Sequence, residues 1–261
     1  MPGCAETDLT PRPRQPPTVL VIAGHDPGGA GIQADIETLL ALGCRAASLV
    51  TCLTTQNSRA ALERAVTPPE MLERQAQALL EDIQPPAACK IGLIPDRRVL
   101  SAVVRIVDSL PPNTPVVLDP VLGASAGGVL VDGDLAPALA TELVPRVLVS
   151  TPNAAEARRM NLPGSGRADG WTLVTGADEP GASIRHELFR GSTLYANSEW
   201  QRLPGRYHGS GCSLASALAG FLARGEYTAS AVAHALSWSW RALLEPVDRG
   251  ACQLLPGRPA E

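Results

Sequence analysis

Lysine is nearly missing from this chain: Lys90 is the single one among 22 basic residues. Phosphate handling, for which lysine is a common point charge, therefore falls to arginine, to backbone N–H groups or to that one ammonium. Aromatic residues make up 3% of the sequence and apolar residues 45%, so a core has to be assembled from Ala, Val, Leu and Ile. There is no basic run, and the net charge is −4; neither nucleic acid nor an anionic membrane is an expected partner. No stretch approaches the ~20 consecutive apolar residues of a membrane span. The six cysteines (4, 44, 52, 89, 212 and 252) lack CxxC spacing and are expected as free thiols of a cytoplasmic protein, not as a zinc site. The opening "MPGCAETDLTPRPRQPP" has no apolar centre, so residues 1–16 read as a disordered lead-in and not as a signal peptide.

What is present is an alternation of short apolar runs with helical patterns. "TVLVIAG" (18–24) reads as a buried strand, and Ile32, Ile36, Leu39 and Leu40 mark one face of the helix that follows. "AASLVTCL" (46–53) is strand-like, and "TPPE" (67–70) reads as a capping box opening a helix with Leu72, Ala76, Leu79 and Ile83 inward. Strands are expected at 88–93, 115–122, 146–153 and 171–176, with helices over "RRVLSAVVRIVDSL" and "LAPALATELV" between them. Residues 184–203 read as a two-stranded excursion turning at Arg190-Gly191, and helices over about 210–224 and 228–245 finish the fold. This order gives a mostly parallel sheet covered by helices on both faces. Ligands bind such sheets beyond the carboxyl ends of the strands, where "GHDPGGAG", "TTQN", "LDPVLGASAGG", "STPNAAE" and "VTGADE" fall.

The glycine-rich segment "AGHDPGGAGIQAD" (23–35) satisfies neither the dinucleotide nor the P-loop fingerprint. Its distinguishing residue is Asp35, expected at the pocket rim to bond a substrate hydroxyl or ring amine. Asp119 ends an all-apolar strand, where a carboxylate is costly without a cation or donor. Glu156 stands three residues beyond Asn153, which is either a helix cap or part of magnesium-linked phosphate handling. The four histidines (25, 186, 208 and 234) show no metal-ligand spacing. In "YHGSGCSLASALAG", Gly209 and Gly211 let backbone approach a phosphate, and the helix beginning there offers free N–H groups to it. A helix start also lowers a thiol pKa, so Cys212 is expected partly as thiolate near neutral pH; a buried, inert thiol is the alternative.

Taken in order, "AGHDPGGAGIQADIETLLALG", "TTQN", "KIGL", "LDPVL", "STPNAAEA" and "YHGSGCSLASALAG" resemble hydroxymethylpyrimidine/phosphomethylpyrimidine kinases, thiamin-pathway members of the ribokinase-like superfamily. The resemblance covers about residues 17–245. It implies a three-layer α/β/α ribokinase-like fold with a mostly parallel central sheet, in a single kinase domain over 17–250 with a C-terminal tail at 251–261. It implies phosphate transfer from MgATP to 4-amino-5-hydroxymethyl-2-methylpyrimidine and then to its monophosphate. Gly24, Asp35, Gln56, Leu93 and Val121 match pyrimidine-binding positions, with Gln56 expected to read both ring nitrogen and amino group. Asp119 and Glu156 match positions linked to Mg2+. Asn153, Thr175 and Gly176 match the nucleotide loops. Gly209, Ser210, Gly211 and Cys212 match the anion hole and its catalytic cysteine. A homodimer is also implied.

The chain departs from that pattern in four places. Its first glycine loop is one small residue shorter, Ser125 and Thr175 stand where lysines are common, and only some ten residues separate "NAAEARRM" from "WTLVTG", leaving no room for a full helix. Without those lysines, Arg206 or Arg97 would have to hold the charged acceptor of the second phosphorylation. Two other readings stay open on sequence: a pyridoxal or pyridoxine kinase, and a non-catalytic pyrimidine-binding protein of the same fold.

Overall fold

The apolar runs of the sequence become strands that are buried on both sides. The computed structural model describes residues 15–57, 60–123, 131, 133–164, 167–248 and 253–260. Its elements are β1 (Thr18–His25), α1 (Ile32–Ala41), β2 (Arg45–Gln56), β3 (Ala61–Val66), α2 (Pro69–Asp82), β4 (Ala88–Ile91), α3 (Arg97–Asp108) and β5 (Val116–Leu118). There follow α4 (Ala136–Ala138), continued by a π turn and a 3-10 turn to Arg146, then β6 (Val149–Ser150), α5 (Ala154–Met160) and β7 (Trp171–Val174). The chain continues through β8 (Ser183–Arg190), β9 (Thr193–Gln201), α6 (Ser210–Ala223), α7 (Thr228–Leu244), β10 (Val247–Asp248) and β11 (Leu254–Leu255). One nine-stranded sheet runs in the order β3-β2-β1-β4-β5-β6-β7-β8-β9. It is parallel from β2 to β7 and antiparallel where β3, β8 and β9 join its two edges.

The side-chain period of two sorts each strand onto two cores. Leu20 and Ile22 of β1 join Leu72 of α2 and Val99, Leu100, Val103 and Ile106 of α3 on one face. Val19, Val21 and Ala23 join α6 and α7 on the other, including Leu218, Phe221 and Trp238. The molecule is thus the three-layer α/β/α arrangement expected. Lys90 lies on the α6 side, because Cys89 and Ile91 on either side of it belong to the opposite core.

Several local expectations change. Thr67 does not cap α2: its N–H donates to the Thr51 carbonyl at 3.0 Å, which extends the β2–β3 hairpin, so the helix starts one residue later with Pro68 as cap. Strand β3 escapes the sequence pattern, because "ALERAV" hangs on the sheet edge with most of its side chains solvated. The strands expected at 115–122 and 146–153 shrink to Val116–Leu118 and Val149–Ser150, which frees the following residues to form loops. On α1 the buried face is Ile32, Ala34, Asp35, Thr38 and Leu39, whereas Ile36 and Leu40 face outward. The chain past 250 is also engaged: β11 pairs with β10, and Trp238 Nε1 donates to the Pro259 carbonyl at 3.0 Å.

Leu218 is fully buried between α6 and the sheet, whereas Leu40 is 73% exposed. Leu218→Ala is expected to cost about 2–5 kcal/mol and Leu40→Ala less than about 0.5 kcal/mol; urea unfolding of the two variants checks the contrast.

Candidate active site

Two glycine loops meet back to back at the carboxyl ends of the central strands. Residues 26–31 leave β1, and Gly31 has a φ of 55° with the Gly24 carbonyl oxygen 2.2 Å from where a Cβ would stand. Gly209, the cap of α6, has a φ of 76°, and a Cβ there would lie 2.9 Å from the Gly29 oxygen. Only glycine fits either position, so the "GHDPGGAG" and "GSGC" turns are backbone-to-backbone neighbours. A side chain ties them as well: His208 Nε2 bonds the Asp26 carboxylate.

Beneath these loops lies a buried charge pair. Lys90 Nζ stands 2.9 Å from each carboxylate oxygen of Asp35, and neither side chain is exposed. Ser216 of α6 donates to Asp35 at 2.6 Å. Burial by itself would lower the Lys90 pKa; contact with Asp35, with Cys212 and Asp119 nearby, outweighs it and holds the ammonium charged. Asp35 is therefore not the pocket-rim residue that the sequence led us to expect. It faces Lys90, and Lys90, the single lysine, to which the sequence reading gave no place in the site, reaches the cavity instead. A lysine in the all-apolar run "ACKIGL" is the signal that could have found it, since a charge there needs a partner.

Two cavities flank this centre and share Val121, Gly123 and Cys212 among their linings. The smaller, about 80 Å³, is lined also by Gly24, Asp26, Gln56, Lys90, Leu93 and His208. The larger, about 700 Å³, is lined by Asp119, Asn153, Glu156, Thr175, Gly209, Ser210 and Gly211. Cys212 thus sits where a compact site meets a large one. Gly176 lines neither; it is buried with the Arg185 carbonyl 2.2 Å from a hypothetical Cβ, so its place in the sequence serves close packing on β8. Arg206 lines the larger cavity, but Arg97 is on the outer surface, paired with Glu142. Ser125 lies outside the described residues. The motifs also passed over Asp26, and Arg159, Arg202 and Trp240 in the larger cavity, residues that only the tertiary fold brings there.

Electrostatically the junction is acidic. Glu156 does form the helix cap: its Oε2 accepts from Asn153 N–H at 2.9 Å, and Asn153 Oδ1 accepts from Glu156 N–H at 2.8 Å. Its second oxygen accepts from Leu122 N–H at 3.2 Å. Burial, and then Asp119 nearby, push Glu156 up to about 7. Asp119 is likewise raised by burial, and its Oδ2 is buried without a hydrogen-bond partner. An orphaned carboxylate oxygen beside a second carboxylate suits a hard divalent cation. Among the described residues no group of three or more His, Cys, Asp or Glu could hold one alone, so water and phosphate oxygens would complete the shell, as magnesium prefers.

The expectation of a thiolate at Cys212 is overturned. Burial raises its pKa, Lys90 and the Gly31 backbone bond lower it, and Asp119 and Asp35 raise it; the balance is a thiol held protonated. The helix start is outweighed by desolvation, to which the nearby carboxylates add.

Lys90→Met would leave the Asp35 carboxylate buried without its cation and is expected to cost about 3–5 kcal/mol. Lys90→Met/Asp35→Asn should recover at least half of that loss. Denaturant melts of both variants check the coupling.

Residues 26–255 match the family model described as phosphomethylpyrimidine kinase. The hydroxymethylpyrimidine/phosphomethylpyrimidine kinase of Rhizobium meliloti is 36% identical, over 88% of this chain and 91% of its own length. The bifunctional thiamine biosynthetic enzyme TH1 of Arabidopsis thaliana is 30% identical over 87% of this chain, which spans 47% of that longer protein. Among solved structures, the pyridoxal kinase of Staphylococcus aureus in complexes with pyridoxal and with ADP superposes with TM-scores of 0.80 and 0.79, at 22% identity over 94% of each chain. That likeness carries the ribokinase-like fold alone. With the family model covering residues 26–255, the chain belongs to the phosphomethylpyrimidine kinase family.

Proposed function

We propose that the chain phosphorylates the hydroxymethyl group of 4-amino-5-hydroxymethyl-2-methylpyrimidine, and then the resulting monophosphate, with ATP as donor, in thiamine biosynthesis. The observation that carries this reading is the position of Cys212. It is the first-turn residue of α6 and lies on the wall shared by the compact cavity and the larger one. A pyrimidine in the compact cavity, against Leu93, Val121, Gly24 and Gln56, would present its hydroxymethyl group at that wall. A nucleotide in the larger cavity, along Asn153 and Thr175, would present its terminal phosphate from the other side.

Phosphoryl transfer asks mainly for alignment and charge stabilisation. The N–H groups at the start of α6, beside Gly209, Ser210 and Gly211, would bind the transferring phosphate. Lys90 is the buried cation beneath the junction. As the oxygen–phosphorus bond forms, the hydroxyl loses its proton; Cys212 is a protonated thiol in the free chain and could take it only once its own proton has left to solvent, which Lys90 and a cation bound at Asp119 would favour. Mg2+, held through Asp119 and Glu156, would neutralise phosphate charge when bound. Arg206, which lines the larger cavity together with Arg159 and Arg202, would support the second step. A cytoplasmic location and a homodimer belong to the same reading, the latter supported by Leu53 and Leu62, which are exposed on the β2–β3 hairpin.

A phosphotransfer assay on the purified protein with the pyrimidine alcohol, its monophosphate and pyridoxal tests the assignment. Turnover of pyridoxal alone, or of none, rejects it. Cys212→Ala is expected to lower kcat by roughly 10²–10⁴, with the KM for ATP little changed; an undiminished kcat removes the proton-accepting role.

A further inference from the structure

The last residues of the chain grip both sides of the turn that carries Cys212. On the near side, the Leu254 N–H donates to the Arg206 carbonyl and the His208 N–H donates to the Leu254 carbonyl, each at 2.8 Å. This short parallel bridge fixes the backbone that runs into Gly209. On the far side, Arg258 Nη1 lies 3.3 Å from Oγ of Ser213, the residue that follows Cys212 in α6. Arg258 Nε and Nη2 each lie 3.2 Å from Oε2 of Glu37 in α1. Since α1 begins at one glycine loop and α6 at the other, a single guanidinium braces the two helices whose starts form the seam.

Arg258 is itself held from behind. The Gly257 N–H donates to the Ala242 carbonyl at 2.7 Å, and a Cβ at Gly257 would stand 2.3 Å from the Glu245 carbonyl oxygen, so this residue is pressed against the end of α7. The Pro259 carbonyl accepts from the fully buried Trp238, and the prolines at 256 and 259 restrict the backbone on either side. Arg258 Nη1 also lies 3.1 Å from the Pro256 and Gly257 carbonyls, and the side chain is only 17% exposed. A planar fork held in this way is pre-organised to order its partners. The segment expected as a C-terminal tail is thus built into the back of the site.

We propose that residues 253–260 form a strap that sets the position of the anion-binding turn, with Arg258 as its positioning residue. Arg258 lines neither cavity; it acts through Ser213 and Glu37, by holding the first turns of α6 against α1. The inference rests on the phosphotransfer reading above and deepens it by naming what keeps the N–H groups of α6 aligned. Those donors must meet charge that develops only in the transition state, and a misplacement of about 1 Å can cost about 10²-fold in rate. Loss of the strap therefore lowers kcat and leaves ground-state nucleotide binding in place.

Arg258→Met keeps an apolar stem and removes the fork. It is expected to lower kcat per folded molecule by about 10- to 100-fold, with calorimetric stoichiometry for ADP counting the folded molecules. The affinity for ADP–aluminium fluoride, a mimic of the transferring phosphate, measured with Mg2+ and the pyrimidine alcohol present, should fall by about tenfold or more, while the Kd for ADP stays within about 3-fold. A merely structural role would reduce the folded fraction and leave kcat per folded molecule and analogue affinity unchanged, which overturns the proposal. Ser213→Ala removes one end of the contact and leaves Arg258 paired with Glu37. It should slow turnover by roughly 3- to 10-fold, and the double variant should be no slower than Arg258→Met, because both act through one contact. Additive losses, or an undiminished kcat in Ser213→Ala, overturn the strap; if Arg258→Met fails to fold, Ser213→Ala decides by its kcat and analogue affinity. A wild-type chain that phosphorylates the alcohol keeps the kinase reading standing whatever the variants do, and one without turnover removes both readings.

Discussion

The contact between Lys90 and Asp35 joins the three elements on which the site is built. Lys90 comes from β4 in the middle of the sheet and Asp35 from α1, and Ser216 of α6 completes the carboxylate's shell. An unpaired charge at any of these fully buried positions would be driven out or neutralised. Once paired, it fixes how α1 and α6 sit over β4. Those two helices begin at the two glycine loops, so the pair also sets the spacing between the loops. The same ammonium lies under the junction where phosphate charge has to be held.

Above that pair, steric contact takes over from charge. Gly31 and Gly209 bring two backbones closer than any side chain would allow, and the His208–Asp26 bond closes the seam. The outcome is a wall made from two distant stretches of chain, with Cys212 at its centre. Each loop alone is an ordinary turn; pressed together, they separate a compact cavity from a larger one. This partition matches a reaction in which a small alcohol and a bulky phosphate donor must approach one point from opposite sides.

Charge is distributed unevenly across the partition. On the larger side, Asp119 and Glu156 accumulate more negative charge than their surroundings neutralise, and burial raises both. That imbalance suits a divalent cation arriving with phosphate. On the compact side His208 bonds Asp26 and Gln56 bonds Thr54, and Lys90 lines the same cavity. The half-buried thiol of Cys212 belongs to both sides and is held neutral chiefly by desolvation, with Asp119 and Asp35 adding to it.

By itself the sequence determined the alternation of strands and helices, the burial of α6, and the motifs that end each central strand, because apolar periodicity and turn chemistry are local. The same patterns placed Gly24, Leu93, Val121, Asn153, Thr175 and the turn before Cys212 near ligand-sized space. Tertiary structure alone decided which charges met. Asp35 turned from the cavity to Lys90, Gly176 served packing on β8, and the Cys212 thiol went neutral where a lone helix start would have ionised it. The contacts of Asp35 join groups 55 and 181 residues apart along the chain. A desolvated charge responds to whatever lies within a few ångströms of it in space, and no spacing along a sequence encodes that distance.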